Sequence, residues 1–277
     1  MTASLLHRCV LLALAGGLSA CSVLRPALEA PEPAGNPQVL LLGEVHDNVQ
    51  GHRLRFEALR KRVEAGWRPA IAMEQFDREQ QGLLSKAQQL CLDADCIVRA
   101  AGSARWDWQQ YRPVIELALA HKLPLIAVNL SRADASRVVR DGVASSFDPA
   151  TVKAYKLDAP LPADIRKVQQ KEIVDSHCNM LPENMVDGMV AAQVARDIWM
   201  AKLIRAQQPR DVVLIAGNGH VRKDVGVARW LNAVEPALST RSIAYGEGTP
   251  AATQFDGVVK LPTQSRPDPC ASMGGKS

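Results

Sequence analysis

Aromatic side chains are scarce in this 277-residue chain, 4% in all, and tyrosine occurs only at 111, 155 and 245. Any chemistry that needs a phenol therefore has three candidates. No stretch reaches the roughly eighteen uninterrupted apolar residues of a bilayer-crossing helix. Long runs of Lys or Arg are missing too, and 33 basic against 29 acidic residues leave a formal charge of +4, too weak and too dispersed a footprint for a nucleic-acid partner. Internal repeats and low-complexity tracts do not occur, and the six cysteines contain no second short Cys-x-x-Cys pair of the kind a structural zinc site uses. What is present is ordinary globular composition, 47% hydrophobic and 22% charged, with enough apolar residue to build a core.

The N-terminus reads as an export signal over residues 1–20: His7 and Arg8, the apolar stretch Val10 to Ala15, then Gly16 and Gly17. It ends Leu18-Ser19-Ala20-Cys21, a lipobox, in which Cys21 is acylated and becomes the first residue. Ser22 in place of Asp fits sorting to the outer membrane. Residues 21–37, with Pro26, Pro31, Pro33 and Pro37, read as an extended tether from lipid to folded domain.

From 38 to 262 short, continuously apolar runs alternate with helical patterns. Residues 38–43, 70–74, 125–129 and 212–217 suit strands buried on both faces of a parallel sheet, with weaker candidates at 241–245 and 257–260. Helical periodicity covers roughly 50–66, 77–90, 108–121 and 184–207. The expectation is an α/β fold, a mainly parallel sheet flanked by helices, with a smaller helical part (131–207) inserted between the third and fourth strands and a tail from 263 to 277.

Ligands collect beyond the carboxyl ends of parallel strands, and every such end here is polar. Strand one runs into Gly43-Glu44-Val45-His46, strand two ends at Glu74, strand three at Asn129, and strand four runs into Gly217-Asn218-Gly219-His220. Glu44, His46, Glu74 and His220 thus form a candidate set for metal ligation or for activation of water. On the long helix Gln193 and Arg196 are three apart and share a face, able to point into the same crevice.

These pieces, with Trp106, Tyr111-x-Pro113, His177 and Met189-x-x-Ala-Gln-x-x-Arg-Asp-x-x-Met-Ala, resemble the ChaN family of haem-binding uptake lipoproteins, within a group that includes Tiki proteases and erythromycin esterases. The resemblance runs from about 38 to 245. It implies haem as ligand, a homodimer on haem binding, an outer-membrane haem receptor as partner, and tyrosine as iron ligand with histidine and lysine at the propionates. Tyrosinate is a hard anionic ligand for ferric iron, and cations suit carboxylates. Among the candidates Tyr155, followed by Lys156, leads over Tyr111 and Tyr245, with His177 a further iron ligand and Gln193, Arg196 and Asn129 lining the pocket. The alternative is a metal-assisted hydrolase using Glu44, His46, Glu74 and His220. In an oxidising compartment the cysteines left after Cys9 and Cys21 are expected to pair as Cys91 with Cys96 and Cys178 with Cys270.

Overall fold

A computed structural model describes residues 35–248, 251–268 and 270–271. The signal, Cys21 and the tether up to residue 34 lie outside the described residues. Six strands, β1 (Val39–Glu44), β2 (Ala70–Asp77), β3 (Leu125–Asn129), β4 (Val212–Gly217), β5 (Thr240–Glu247) and β6 (Gly257–Leu261), form one sheet in the order β3-β2-β4-β1-β5-β6. Every pairing is parallel.

β1 to β4 open on continuously apolar runs because both their faces are covered, whereas β5 and β6 carry Arg241, Ser242 and Lys260. Val39, Leu41, Ala70, Ala72, Val212 and Leu214 enter one core, and the alternating Leu40, Leu42, Ile71, Met73, Val213 and Ile215 enter the other, as the two-residue period of a strand requires. The second core is roofed by α1 (Val49–Glu64), α2 (Gln81–Leu90), α3 (Ala94–Ala101) and α4 (Trp108–Ala120). The first is roofed mainly by α8 (Glu183–Arg205), against which α5 (Arg132–Asp141), α7 (Ala163–Ser176) and α9 (Val227–Leu231) pack. Between α5 and α7 lies the short α6 (Pro149–Tyr155). No strand interrupts 131–207.

Local chemistry sets the helix starts. Asn48 begins α1 by accepting from the Gly51 amide at 2.9 Å, and Asp93, Asp107, Ser131 and Asp148 cap α3 to α6 in the same way. Helix α3 is an element the periodicity does not announce: eight residues squeezed behind the Cys91–Cys96 disulfide. The expected helix at 77–90 begins later, since β2 continues to Asp77 and a 3-10 turn follows at Arg78–Gln80. The second disulfide joins Cys178 to Cys270. Among the described residues no helix is long and apolar enough to cross a membrane.

Candidate functional site

The register brings the strand ends together. Glu44 stands beside Gly217 across the β1–β4 ladder, and Met73 beside Ile215 across β2–β4, so Glu44 and Glu74 flank the end of β4. Packing here is tight at the backbone. A Cβ on Gly43 would lie 2.2 Å from Asn218 Oδ1, and one on Gly217 would lie 3.1 Å from the His46 ring. Gly43→Ala is therefore expected to cost about 1–3 kcal/mol through overpacking, read as a lower urea midpoint at unchanged m-value.

Glu44 is buried and heavily partnered. Its Oε1 accepts from the Tyr111 hydroxyl at 2.6 Å, from His46 Nδ1 at 2.8 Å and from Gln75 Nε2 at 3.2 Å. Its other oxygen pairs with the fully buried Arg55. His52 completes the shell: Arg55 donates to its Nδ1 at 3.0 Å, and its Nε2 donates to the His46 carbonyl at 2.8 Å. Burial holds the His52 pKa below its ordinary value and draws Arg55 down to about 10. At neutral pH the result is a neutral His52 beside a charged Arg55.

The His46 ring is 47% exposed, edge-on to Trp106 with ring centres 5.0 Å apart. With Nδ1 on Glu44, the Nε2 edge of the ring is turned toward Gly217 at the end of β4. This carboxylate–imidazole pair has the build of a general base.

On the other side of Gly217 a second charged group is buried. Glu74 accepts the Gly217 amide at 2.8 Å and lies 3.5 Å from His220 Nε2, while His220 Nδ1 donates to Asp197 at 2.6 Å. Gln193 reaches within 3.2 Å of His220 Nδ1. Burial opposes charge on His220, but Glu74 and Asp197 outweigh it and raise its pKa to about 10. Glu74, despite burial, is drawn down to about 2 by His220. Asp197 is raised to about 6, chiefly by burial, and its Oδ2 has no hydrogen-bond partner.

These partners answer the metal expectation. Among the described residues no group of three or more His, Cys, Asp or Glu side chains is placed to hold an ion. Glu44 is committed to Arg55 and Tyr111, and the His220 nitrogens face carboxylates, Nδ1 on Asp197 and Nε2 beside Glu74. A divalent ion held by Glu44, His46, Glu74 and His220 is accordingly not supported.

The remaining candidates scatter. Tyr111 is 1% exposed and committed to Glu44, with burial raising its pKa. Tyr245 is buried within β5. Tyr155 ends α6 at 8% exposure, its phenol raised to about 12 by burial despite the charge of Arg205. Arg205 follows Asp197 by eight residues on α8, about 12 Å along the axis, so Tyr155 lies away from the crevice. Asn129 donates to Asp77 at 2.7 Å. Arg196 is largely buried, its pKa lowered by that burial against the charges of Glu74 and Asp197. His177 closes α7 with Nδ1 donating to the Ile173 carbonyl at 2.7 Å.

A cleft lies elsewhere. It has a volume of about 610 Å³, within the range of small-molecule sites, and sits on the α6 flank. Phe147, Pro149 and Val152 give it an apolar wall, and Lys153 and Lys156 two ammonium groups, with Asp158 at the rim. Lys153 is a residue the sequence reading missed, because a lone lysine on a short helix carries no signal of its own. Arg55 was missed likewise, since an arginine in an amphipathic helix reads as solvated.

Comparison with known proteins places this geometry. A solved structure described as cofacial haem binding to ChaN of Campylobacter jejuni matches with a TM-score of 0.67 and 22% identity, over 80% of this chain and 86% of that one. An erythromycin esterase mutant in its open conformation matches with a TM-score of 0.42 and 14% identity, over 76% of this chain and 70% of that one. No curated protein matches the chain. The sequence pattern of one family, described as haem-binding uptake, Tiki superfamily, ChaN, covers residues 32–231. On that match, extending over most of the folded domain, the chain belongs to the ChaN family of haem-binding uptake proteins.

Proposed function

We propose that this protein binds haem on the α6 flank and serves haem or iron uptake from the outer membrane, anchored there by an acylated Cys21 and partnered by a haem receptor. The observation that carries the haem reading is the composition of the α6 cleft. A porphyrin needs apolar contact over its ring and cations for its two propionates; Phe147, Pro149 and Val152 meet the first need, Lys153 and Lys156 the second. Tyr155, on α6 between the two lysines but itself buried in the core, is the phenol nearest to the cleft along the chain, and ferric iron favours tyrosinate. A second copy of the chain closing over the open side of the cleft gives the homodimer.

Ligation by Tyr155 has a pH signature. Its phenol is held at about 12, so iron must displace a proton, and haem affinity is expected to rise about tenfold per pH unit between roughly pH 6 and 8. Hemin titration followed at the Soret band tests the reading, with a saturable shift expected and a ferric-tyrosinate spectrum that disappears in Tyr155→Phe. A spectrum that persists there and vanishes in His177→Ala assigns the ligand to the imidazole instead. No saturable shift at any pH overturns haem binding.

One observation favours a second reading, hydrolysis. The Glu44–His46 pair sets a half-exposed imidazole at the strand ends, the build of a general base for water. Turnover of an activated ester that is lost in His46→Ala, while the hemin titration is unchanged, would establish an enzymatic activity at the crevice.

A further inference from the structure

We infer that the N-terminal edge of the sheet is the face this protein lays against a lipid bilayer, with Leu90 and Leu92 as the inserting side chains. The inference rests on the reading of Cys21 as an acylated anchor. Leu90 is 70% exposed and Leu92 95%, the most exposed large apolar residue among those described. Leu92 cannot fold back onto the domain, because the Cys91–Cys96 disulfide closes the loop that carries it. Its acidic neighbours are already engaged: Asp93 caps α3, and Asp95 pairs with Arg112 at 2.7 Å.

Both leucines sit at the edge where the chain enters. Gln88, just before them on α2, donates to the Leu123 carbonyl and accepts from the Leu125 amide, at the start of β3. Asn36, near the first described residue, is held by Arg62 just before β1. Three strand spacings, about 14 Å, separate the starts of β1 and β3. Residues 22–34, between Cys21 and the folded domain, reach about 45 Å when extended, ample to let this edge meet the membrane that holds the lipid.

Exposed cations line the same edge: Lys122 before β3, Arg68 before β2 and Arg210 before β4. The guanidinium hydrogen bonds of Arg68 and Arg210 go to main-chain carbonyls, leaving their charge for anionic headgroups. Two leucines and a few cations bind a bilayer weakly when free in solution. Tethering makes the contact intramolecular, so weak docking suffices. Docked in this way, the protein turns the strand-end crevice and the α7–α8 hairpin tip away from the lipid.

The test uses the mature chain from Cys21 onward, with that thiol coupled in vitro to a maleimide lipid in phosphatidylethanolamine–phosphatidylglycerol vesicles. Coupling in this way makes the result independent of acylation in cells, which the mass of the cell-made protein reports separately. Hydrogen exchange of residues 90–96 is expected to slow about fivefold or more on vesicles relative to the uncoupled chain, with residues 177–185 unchanged. Leu90→Ser/Leu92→Ser should remain coupled but lose the slowing. Phosphatidylcholine vesicles should give a smaller, leucine-dependent effect. Complete coupling with no slowing at 90–96 overturns the inference and leaves this patch for a protein partner, whereas unmodified Cys21 in cells overturns only the anchor.

Discussion

Glu44→Ala is expected to lower folding stability by about 3–5 kcal/mol, because it leaves Arg55 buried without its counter-charge. The same change strands the Tyr111 hydroxyl, the Gln75 amide and the His46 Nδ1–H, which all donate to the lost oxygen. The double replacement Glu44→Leu/Arg55→Met, which removes both charges, should recover much of the loss, as buried ion pairs exchanged for apolar groups commonly do. Urea unfolding with an unchanged m-value measures both. A single-variant loss below about 1 kcal/mol would mean that Arg55 finds another partner, and the reading of Glu44 as the hub of the strand-end network would fail.

Replacing His220 is the second large effect. His220→Gln leaves Glu74 and Asp197 buried without the cation between them and should cost a similar few kcal/mol near neutral pH. It also changes the pH profile. The folded-state pKa of His220 is raised from 6.5 to about 10, so its contribution is complete below about pH 6.5 and is lost as pH rises toward about 10. Glu74, lowered from 4.5 to about 2, contributes above about pH 4.5 and loses that contribution as pH falls through about 2. Asp197 works the other way: raised from 3.8 to about 6, it costs nothing below about 3.8 and its full penalty above about 6. The three together place maximal stability between about pH 3.8 and 4.5, with a first decline toward about pH 6 as Asp197 ionises and a second above about pH 6.5 as His220 loses its proton. Thermal unfolding across pH 3 to 10 should show a decline on the alkaline side in the wild type that is flattened in His220→Gln. Parallel alkaline declines in the two proteins would mean that His220 is not the group responsible.

How much of this was legible in the residues follows from what each signal reports. Runs such as Val39 to Leu42 and Val212 to Ala216 announce doubly covered strands, because apolarity without alternation has few other homes. The polar punctuation after them led directly to Glu44, His46, Glu74 and His220, which the sheet does bring to one edge. Their partners were less visible. Arg55 looks like any surface arginine of a helix, and its burial depends on the ion pair with Glu44 at the end of β1 rather than on its neighbours within α1. Asp197 was noticed only as part of an Arg-Asp pair, and helical phase decides that Asp197, not Arg196, meets His220 at hydrogen-bond distance. Tyr155 led among the tyrosines only on its neighbour Lys156 and its place in the helical part, since burial and hydroxyl partners are tertiary facts. Tyr111 proves to be a structural donor to Glu44. Helix α3 was hidden because eight residues between a disulfide and a glycine are too few for a clear period.

The two ends of the molecule divide the account. The strand-end crevice is rich in buried charge satisfied from within, whereas the α6 flank offers apolar wall and unburied lysines to a ligand. That division makes the place of haem binding the claim on which the functional reading stands. The direct measurement is a hemin titration of Lys153→Glu/Lys156→Glu beside His46→Ala, at fixed salt and pH. Reversing the two charges proposed to hold the propionates should weaken binding at least about tenfold, equivalent to about 1.4 kcal/mol, while His46→Ala binds as the wild type does. Wild-type affinity in the lysine variant together with lost affinity in His46→Ala would contradict the account and move the haem to the crevice.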